Sequence, residues 1–555
     1  MRIPLAAPLT LFLLGGLLGL PASYDPSLSA PWLLWLAAGA LLYVGLCWLA
    51  GVAGRPVLAA TLPTLAAAGG ALLIIAQYRH LDFDPKFAPL ARLGVWLSAH
   101  TPALLLPHID ANAAAAFLAG ALPLALGLAL DTRGPARAAW LGCAGLVGLV
   151  VLLTASRGAW AALAVVGLLA GLAWAALHLP LRRAGLLVLV AALGGAVLGW
   201  LLLARYPGAA GALGLRAADR LTVYRNDLFL ALDLPFSGIG PGATFGEVYS
   251  RLQLLIQVPF IGYAHNVFLG AWLAQGLLGL LGLLGLVLGG LARIAPRLRA
   301  GAGPLAWGAA LGAATPLLHG LTDAPQYDTA WTALLMAFAL LAVAVQEPRT
   351  GHITAETQRT LSIHQNESLH PRCLCGAFCN STFKTHNSTR SVLLVLVALA
   401  LLARPVGAVA CANAAALLRT HALLRPDLGA PARAALREQG VVWAEHGLWL
   451  DAGSAAALKQ RGMLAFDAQE FGGAAGLLAS AFAQRPADQS LRKALGYALL
   501  WTGRVDEAAE LLAGLTYADE VREELTVWPV AWRERGREDL ARLAEELGQA
   551  LDARR

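Results

Sequence analysis

The sequence predicts an all-α fold: a polytopic membrane protein of about 10–11 transmembrane helices with a soluble α-helical repeat tail. Three observations lead there. Hydrophobic residues make up 58% of the 555 residues and charged ones 14%, against roughly a quarter charged in soluble domains. No soluble surface absorbs that much apolar side chain, and disorder is excluded by the same numbers. The apolar residues fall into runs about 20 residues long, the length that crosses a bilayer. Beyond about residue 412 charges return and a 34-residue period sets in.

The expected spans are 4–21, 31–53, 57–77, 111–130, 138–155, 159–179, 184–204, 266–292, 304–320 and 328–346, with a weaker one from Ser391. The first resembles a signal peptide, but further apolar segments follow at once and it reads as a retained helix. Simple alternation puts Arg2, Arg55, Arg133, Arg137, Arg182, Arg183, Arg293, Arg297 and Arg299 on one side. Short basic loops stay cytoplasmic, so the N-terminus is expected inside. The segments 79–110 and 205–265 are then outside. The net charge of +7 forms no run or basic face, so these residues read as topology markers and no nucleic-acid partner is expected.

Residues 347–390 break the Ala/Leu/Gly pattern and read as a polar insertion of disordered-type composition in a cytoplasmic loop. Asn366, Asn380 and Asn387 begin N-x-S/T triplets, which carry no meaning on that side. Cys373, Cys375 and Cys379 with His370 are metal-ligand types, but their spacing is not that of a structural zinc site. No metal and no cofactor is expected. The six cysteines do not form a disulfide framework.

The last span, 391–411, holds thirteen apolar residues before Arg404-Pro405 and extends through Val406–Ala410 if Arg404 snorkels. Residues 412–555 then form an outer soluble domain. Ala474-Ala475 and Leu477-Leu478 fall on Ala508-Ala509 and Leu511-Leu512 after 34 residues. That resembles a tetratricopeptide repeat, with a weaker unit over Trp528–Leu547; the plainer reading is an Ala-rich helical bundle. Such a tail offers a surface for a protein partner.

Four features on the expected outer side carry chemistry. Arg157, in the tight turn Ser156-Arg157-Gly158, is a fixed cation near lipid phosphate. Arg220 and Arg225 bracket Tyr224, ahead of Gly238, Gly240 and Gly242, whose alternation reads as a turn or as a phosphate cradle. His265, followed by Asn266, stands at a span mouth where imidazole can take a proton from a hydroxyl. His319-Gly-Leu-Thr-Asp323 ends the ninth span, and Asp323 is placed to orient His265 or bind sugar hydroxyls. The plainer readings are an arginine touching lipid phosphate for Arg157, a simple turn for the glycines, and a capping or interface residue for His265. Cationic side chains can stabilise a departing diphosphate where a metal otherwise would. The chemistry suggested is metal-independent transfer from a lipid diphosphate.

Taken in order, Ser156-Arg157-Gly158, Arg220 with Tyr224 and Pro235-Phe-Ser-Gly238-Ile-Gly240, His265-Asn266 with Gly276-Leu-Leu-Gly279, and His319-Gly-Leu-Thr-Asp323 resemble the O-antigen ligase and polymerase superfamily of membrane glycosyltransferases. Pro107-His-Ile-Asp-Ala-Asn112 is similar to an earlier motif of that family. The resemblance covers roughly residues 20–345. It implies transfer of a glycan from an undecaprenyl-diphosphate carrier to an acceptor hydroxyl on a glycan, lipid or protein, at the outer face of the bacterial inner membrane. It also implies Arg157 and Arg220 as diphosphate ligands, with Arg225 the alternative to Arg220. His265 is the implied general base, with inversion at the anomeric carbon. Tyr224, Arg225, Asn266 and Asp323 are the implied substrate-binding residues. The stretch after Gly279 lacks a Thr pair seen in some lipid-core ligases, and the 347–390 insertion is foreign to the family.

A polymerase joining repeat units is the alternative within the class. A lipid-linked glycan transporter would carry polar groups and broken helices at mid-membrane, whereas these spans are Leu/Ala/Gly-rich with polar residues crowded at one face. A pure assembly scaffold leaves the outer arginines without a role.

Overall fold

The computed structural model describes residues 3–80, 88–102, 109–180, 183, 207–259, 261–327, 331–346 and 388–554. The expected span 184–204 and the insertion, with its cysteine cluster and Asn triplets, lie outside the described residues. Among the described residues the chain is helical, without strands. The membrane part comprises α1 (Ala6–Gly19), α2 (Pro26–Cys47), α3 (Pro56–Gln77), α4 (Ala88–Ala99), α5 (Ala111–Leu118), α6 (Ala121–Asp131), α7 (Gly134–Leu153), α8 (Arg157–His178), α9 (Pro207–Asp233), α10 (Val267–Arg299), α11 (Pro304–His319) and α12 (Trp331–Ala344). Several are long and apolar enough to cross a membrane, among them α3, α7, α8, α10 and the α5–α6 pair read as one. This is a multi-pass membrane protein.

Apart from α10, which runs seven residues further, and the last apolar segment, the predicted spans and the observed helices agree to within a few residues wherever both exist. Two helices were not anticipated: α4 and the 27-residue α9, both inside segments expected as outer loops. Mixed polar composition hides a helix that lies on a surface instead of crossing a bilayer.

Side-chain bonds show which helix ends share a side. Tyr78 Oη donates to Leu153 O at 3.1 Å, Trp32 Nε1 to Gln326 O at 3.0 Å, and Ser156 Oγ to Asn112 Oδ1 at 2.8 Å. At the opposite end Tyr43 Oη donates to Pro4 O at 2.7 Å, and Arg297 Nη1 to Ala344 O at 2.7 Å. The loops of Arg55, Arg133 and Arg299 belong to that second end by chain alternation.

Small residues set the closest crossings, as expected where lipid offers no hydrophobic drive between helices. A β-carbon at Gly15 of α1 would lie 2.5 Å from Gly279 N of α10. One at Gly308 of α11 would lie 2.6 Å from Pro123 O of α6.

α10 is broken at Gly276, which has φ 65° and ψ −168°. The segment 235–242 docks on this break. Leu277 N donates to Pro235 O at 2.9 Å, Ile239 N to Leu273 O at 2.6 Å, and Trp272 Nε1 to Pro235 O at 3.0 Å. Gly238, Gly240 and Gly242 all have positive φ, and β-carbons there would lie 2.3 Å from Leu273 O, 2.6 Å from Ser23 Cβ and 2.2 Å from Leu28 O. This overturns the phosphate-cradle reading. These glycines are buried in packing against α10 and the α1–α2 turn, and their open sides face protein backbone.

The last apolar segment differs from expectation in extent. α13 (Ser388–Leu424) continues unbroken through Pro405, so the expected boundary at 411/412 falls inside a helix. Its second half packs on protein: Phe236 N donates to Asn413 Oδ1 at 3.0 Å, and His421 Nε2 lies 3.3 Å from Ala22 O. Arg404 Nε donates to Leu450 O at 3.1 Å.

The tail continues as α14 (Ala430–Leu450), α15 (Ala455–Asp467), α16 (Phe471–Gln484), α17 (Gln489–Leu500), α18 (Val505–Ala513), α19 (Ala518–Glu534) and α20 (Glu538–Asp552). The 34-residue period is visible as repeated packing. Gly462 of α15 faces Leu478 of α16 at 2.8 Å from a notional β-carbon, and Gly496 of α17 faces Leu512 of α18 at 2.7 Å. Ala474, Leu478, Ala508 and Leu512 are all fully buried. The stretch expected as a weaker third unit holds the helix pair α19–α20, which begins earlier than Trp528.

Candidate active site

The site lies where the first side of the bundle meets α9 and the loop after it. His265 precedes α10 and has φ 51°. A non-glycine residue in that left-handed region carries strain, which persists only where the surroundings enforce it. Three contacts do so here. Tyr224 Oη of α9 lies 3.1 Å from His265 O and 2.8 Å from Leu321 O, donating to this carbonyl pair. Asn266 caps α10, its Oδ1 accepting from Phe268 N at 3.0 Å and Leu269 N at 3.2 Å. Val267 N donates to Gly320 O at 2.6 Å. The loop bearing His265 is thus tied to the turn after α11.

That turn delivers Asp323. Its Oδ1 lies 3.1 Å from His265 Nδ1, and its carboxylate is almost fully buried. Burial pushes the Asp323 carboxyl up, but hydrogen bonds from His265 and Tyr263 and the neighbouring histidine charges outweigh it and hold it below the usual carboxylate range. An ionised Asp323 accepts Nδ1–H, which leaves the Nε2 lone pair as the basic atom. The Tyr263 ring lies 4.3 Å from the imidazole, centroid to centroid.

Arg157 opens α8 and is exposed. Ser156, at the N-cap position, makes no capping bond, because its hydroxyl goes to Asn112. Ala155 before it is also left-handed, with φ 52°. Gly158 lets α8 approach the Asp323 turn: a β-carbon there would lie 3.0 Å from both His319 Cδ2 and Thr322 Oγ1. Arg157 therefore stands one residue from the His319–Asp323 turn. Arg220 lies one turn before Tyr224 on α9, its charge felt by both Tyr224 and Tyr263. Arg220 Nη1 is buried and donates no hydrogen bond among the described residues, a costly arrangement unless an anion meets it.

Two sequence-predicted residues have other employment. Arg225 Nη2 donates to Thr516 Oγ1 of the tail at 3.3 Å, whereas the charge of Arg220 is felt by Tyr224 and Tyr263. Asn266 is occupied as a helix cap, with Nδ2 3.4 Å from Leu321 O. Both differ from the substrate-binding expectation because a contact formed on folding claims the side chain. Conversely, sequence reasoning did not single out Tyr263, whose only signal was an aromatic two residues before the histidine. His319 was quoted only as part of a motif; it is buried, and its Nε2 has no hydrogen-bond partner among the described residues. A cavity of about 100 Å³ lined by apolar residues of α10, α11 and α12 reaches His319 and Asp323.

Residues 141–284 match the family described as O-antigen ligase. That stretch is similar to the O-antigen ligase family. The matched stretch contains Arg157, Arg220, His265 and the Gly276 break, and it ends before Asp323, which only the fold brings to His265. Residues 465–525 match a tetratricopeptide repeat. No curated protein matches the chain. The helical bundle and the ligase-family match support an O-antigen ligase/polymerase-type membrane enzyme.

Asp227, near Tyr224 on α9, is fully buried, and neither carboxyl oxygen is hydrogen-bonded among the described residues. Burial pushes its pKa well above the usual carboxylate range. A carboxyl raised on folding contributes full stability below its unfolded pKa of about 3.9 and loses it as pH rises toward the folded value. The wild type is therefore expected to lose thermal stability relative to Asp227→Asn as pH increases above about 4. Melting midpoints of both proteins in detergent between acid and neutral pH check this; parallel curves would refute it.

Proposed function

We propose that this protein transfers a glycan from an undecaprenyl-diphosphate carrier to an acceptor hydroxyl at the outer face of the bacterial inner membrane. The basic loops then face the cytoplasm, and the His265 site and the tail face outward. The observation that carries the reading is the 3.1 Å contact between Asp323 and His265, with His265, Arg157 and Arg220 inside the stretch that matches the ligase family.

His265 Nε2 takes the proton of the acceptor hydroxyl. The acceptor oxygen forms the new bond to the anomeric carbon as the bond from that carbon to the diphosphate oxygen breaks, on the opposite face, so configuration inverts. The proton ends on the imidazolium, which the Asp323 carboxylate stabilises. The carrier diphosphate leaves with its charge met by Arg157 and Arg220, so no metal ion is required. The apolar cavity below Asp323 suits the first part of an isoprenoid chain.

The test is the purified protein in proteoliposomes with lipid-linked glycan and acceptor, read by product mass and by the anomeric configuration of the new linkage. Arg157→Ala and Arg220→Ala are each expected to lower turnover by roughly 10²–10³-fold, the loss of one charge-stabilising donor. Chelator is expected to leave the rate unchanged. Full activity in both variants, or retention of configuration, would overturn the assignment. Movement of unaltered lipid-linked glycan across the bilayer would make it a transporter. In cells, a knockout should accumulate lipid-linked precursor while the surface product is lost.

A further inference from the structure

The repeat tail is clamped onto the membrane part. Lys459 and Lys493 stand 34 residues apart at equivalent positions of α15 and α17. Lys459 Nζ pairs with Asp233 at the end of α9, and Lys493 Nζ donates to Leu254 O at 3.1 Å and Leu255 O at 3.3 Å. The inner face of the repeats, where an extended peptide would lie, is therefore filled by the chain's own segment 249–255.

Between that segment and the tail a cavity of about 650 Å³ remains, walled by residues 251–258 on one side. Phe466, Tyr497 and Trp528 present aromatic surface to it, and Glu520 and Glu523 stand on its rim. Among the described residues neither of these two glutamates is in an ion pair, whereas Asp467 is paired with Arg419 and Glu524 with Lys493. Arg251 and Arg535 also line the space, so its overall charge is near neutral. Aromatic faces with unpaired carboxylates and little net charge suit a neutral polyhydroxyl ligand: pyranose C–H faces stack on rings while hydroxyls donate to the carboxylates. A strongly basic peptide would find the arginines repulsive.

The cavity is tied to the candidate site through the tail, and its wall residues 251–258 shortly precede Tyr263 and His265 in the sequence. Thr516, one turn before Glu520, accepts from Arg225, the neighbour of Tyr224, which holds the His265 carbonyl.

We propose that this cavity, built jointly by the ligase loop and the repeat tail, is a subsite for the acceptor glycan, gripping sugars behind the hydroxyl that His265 deprotonates. This rests on the glycan-transfer reading above. The probe is the acceptor oligosaccharide of knockout cells, which lacks the transferred chain, released by mild acid and titrated into full-length protein in detergent with tryptophan fluorescence as readout. Saturable quenching is expected, weakened roughly tenfold in Trp528→Ala. Glu523→Gln, exposed and outside the aromatic packing, is expected to weaken it several-fold and guards against a folding defect. In the transfer assay both variants should raise the acceptor KM by the same factors, with the donor KM as in wild type. Binding that ignores both substitutions, or quenching by a lysine-rich aromatic peptide and not by the oligosaccharide, would overturn the subsite. Wild-type binding of the oligosaccharide without any transfer would instead overturn the reaction and leave the subsite standing.

Discussion

His265→Ala is expected to lower the rate of glycan transfer by roughly 10²–10⁴-fold, the usual contribution of a positioned general base. The expectation rests on geometry. Asp323 fixes Nδ1 at 3.1 Å, which aims the opposite nitrogen and, in the neutral imidazole, places the lone pair there. Asp323→Asn should fall into the same range, because an amide can donate to Nδ1 and move the imidazole proton onto Nε2, the wrong atom for a base. Alanine at 265 also meets a left-handed backbone, so His265→Asn is the companion variant, since Asn tolerates that region without supplying a base. Equal losses in the alanine and asparagine variants, with partial rescue by added imidazole in the first, would mark chemistry and not strain. Retention of more than about a tenth of wild-type turnover in all three would remove His265 from the reaction.

Lys459→Met is expected to destabilise the junction of tail and membrane part by about 3–5 kcal/mol, the cost of leaving a buried partner charge alone. Lys459 is 1% exposed and sits between two carboxylates, 2.5 Å from Asp233 Oδ2 and 2.8 Å from Asp488 Oδ2. Without it Asp233 keeps Arg485, at 3.3 Å, and Asp488 loses the cation that offsets its burial. Asp233 closes the helix that carries Arg220 and Tyr224, so activity should fall along with stability. Guanidinium unfolding of the whole protein, followed through the tail tryptophans Trp501, Trp528 and Trp532, measures the loss. Adding Asp233→Asn should recover part of it, since the pair is coupled. A loss below about 1 kcal/mol would place the pair among exposed ion pairs of small worth and undo the clamp.

The glycine motifs show how a sequence signal can be right in position and misread in purpose. Gly238, Gly240 and Gly242 were legible as conformationally special, because glycine at every second position after Pro235 marks backbone that a β-carbon would obstruct. That they face Leu273 O, Ser23 and Leu28 O was not, since those partners are distant in the chain. The same holds for Arg225 and Asn266. Residue type marked them as ligand candidates, but Thr516 and the first turn of α10 engage them.

Sequence alone determined the membrane class, the order and approximate limits of the described spans, the basic loops sharing one end, the repeat in the tail, and His265, Arg157 and Arg220 as candidate residues. Hydrophobic run length, charge placement and a fixed period are properties of neighbouring residues, so a linear reading captures them. Only the tertiary structure decided that Asp323 meets His265 across 58 positions, that Arg225 is engaged by Thr516 of the tail, that α10 breaks to seat the 235–242 segment, and that the tail locks onto the end of α9 through buried charge. Each of these depends on backbone conformation and on which distant surfaces exclude water together, and such free energies are fixed by packing in three dimensions and not by local pattern.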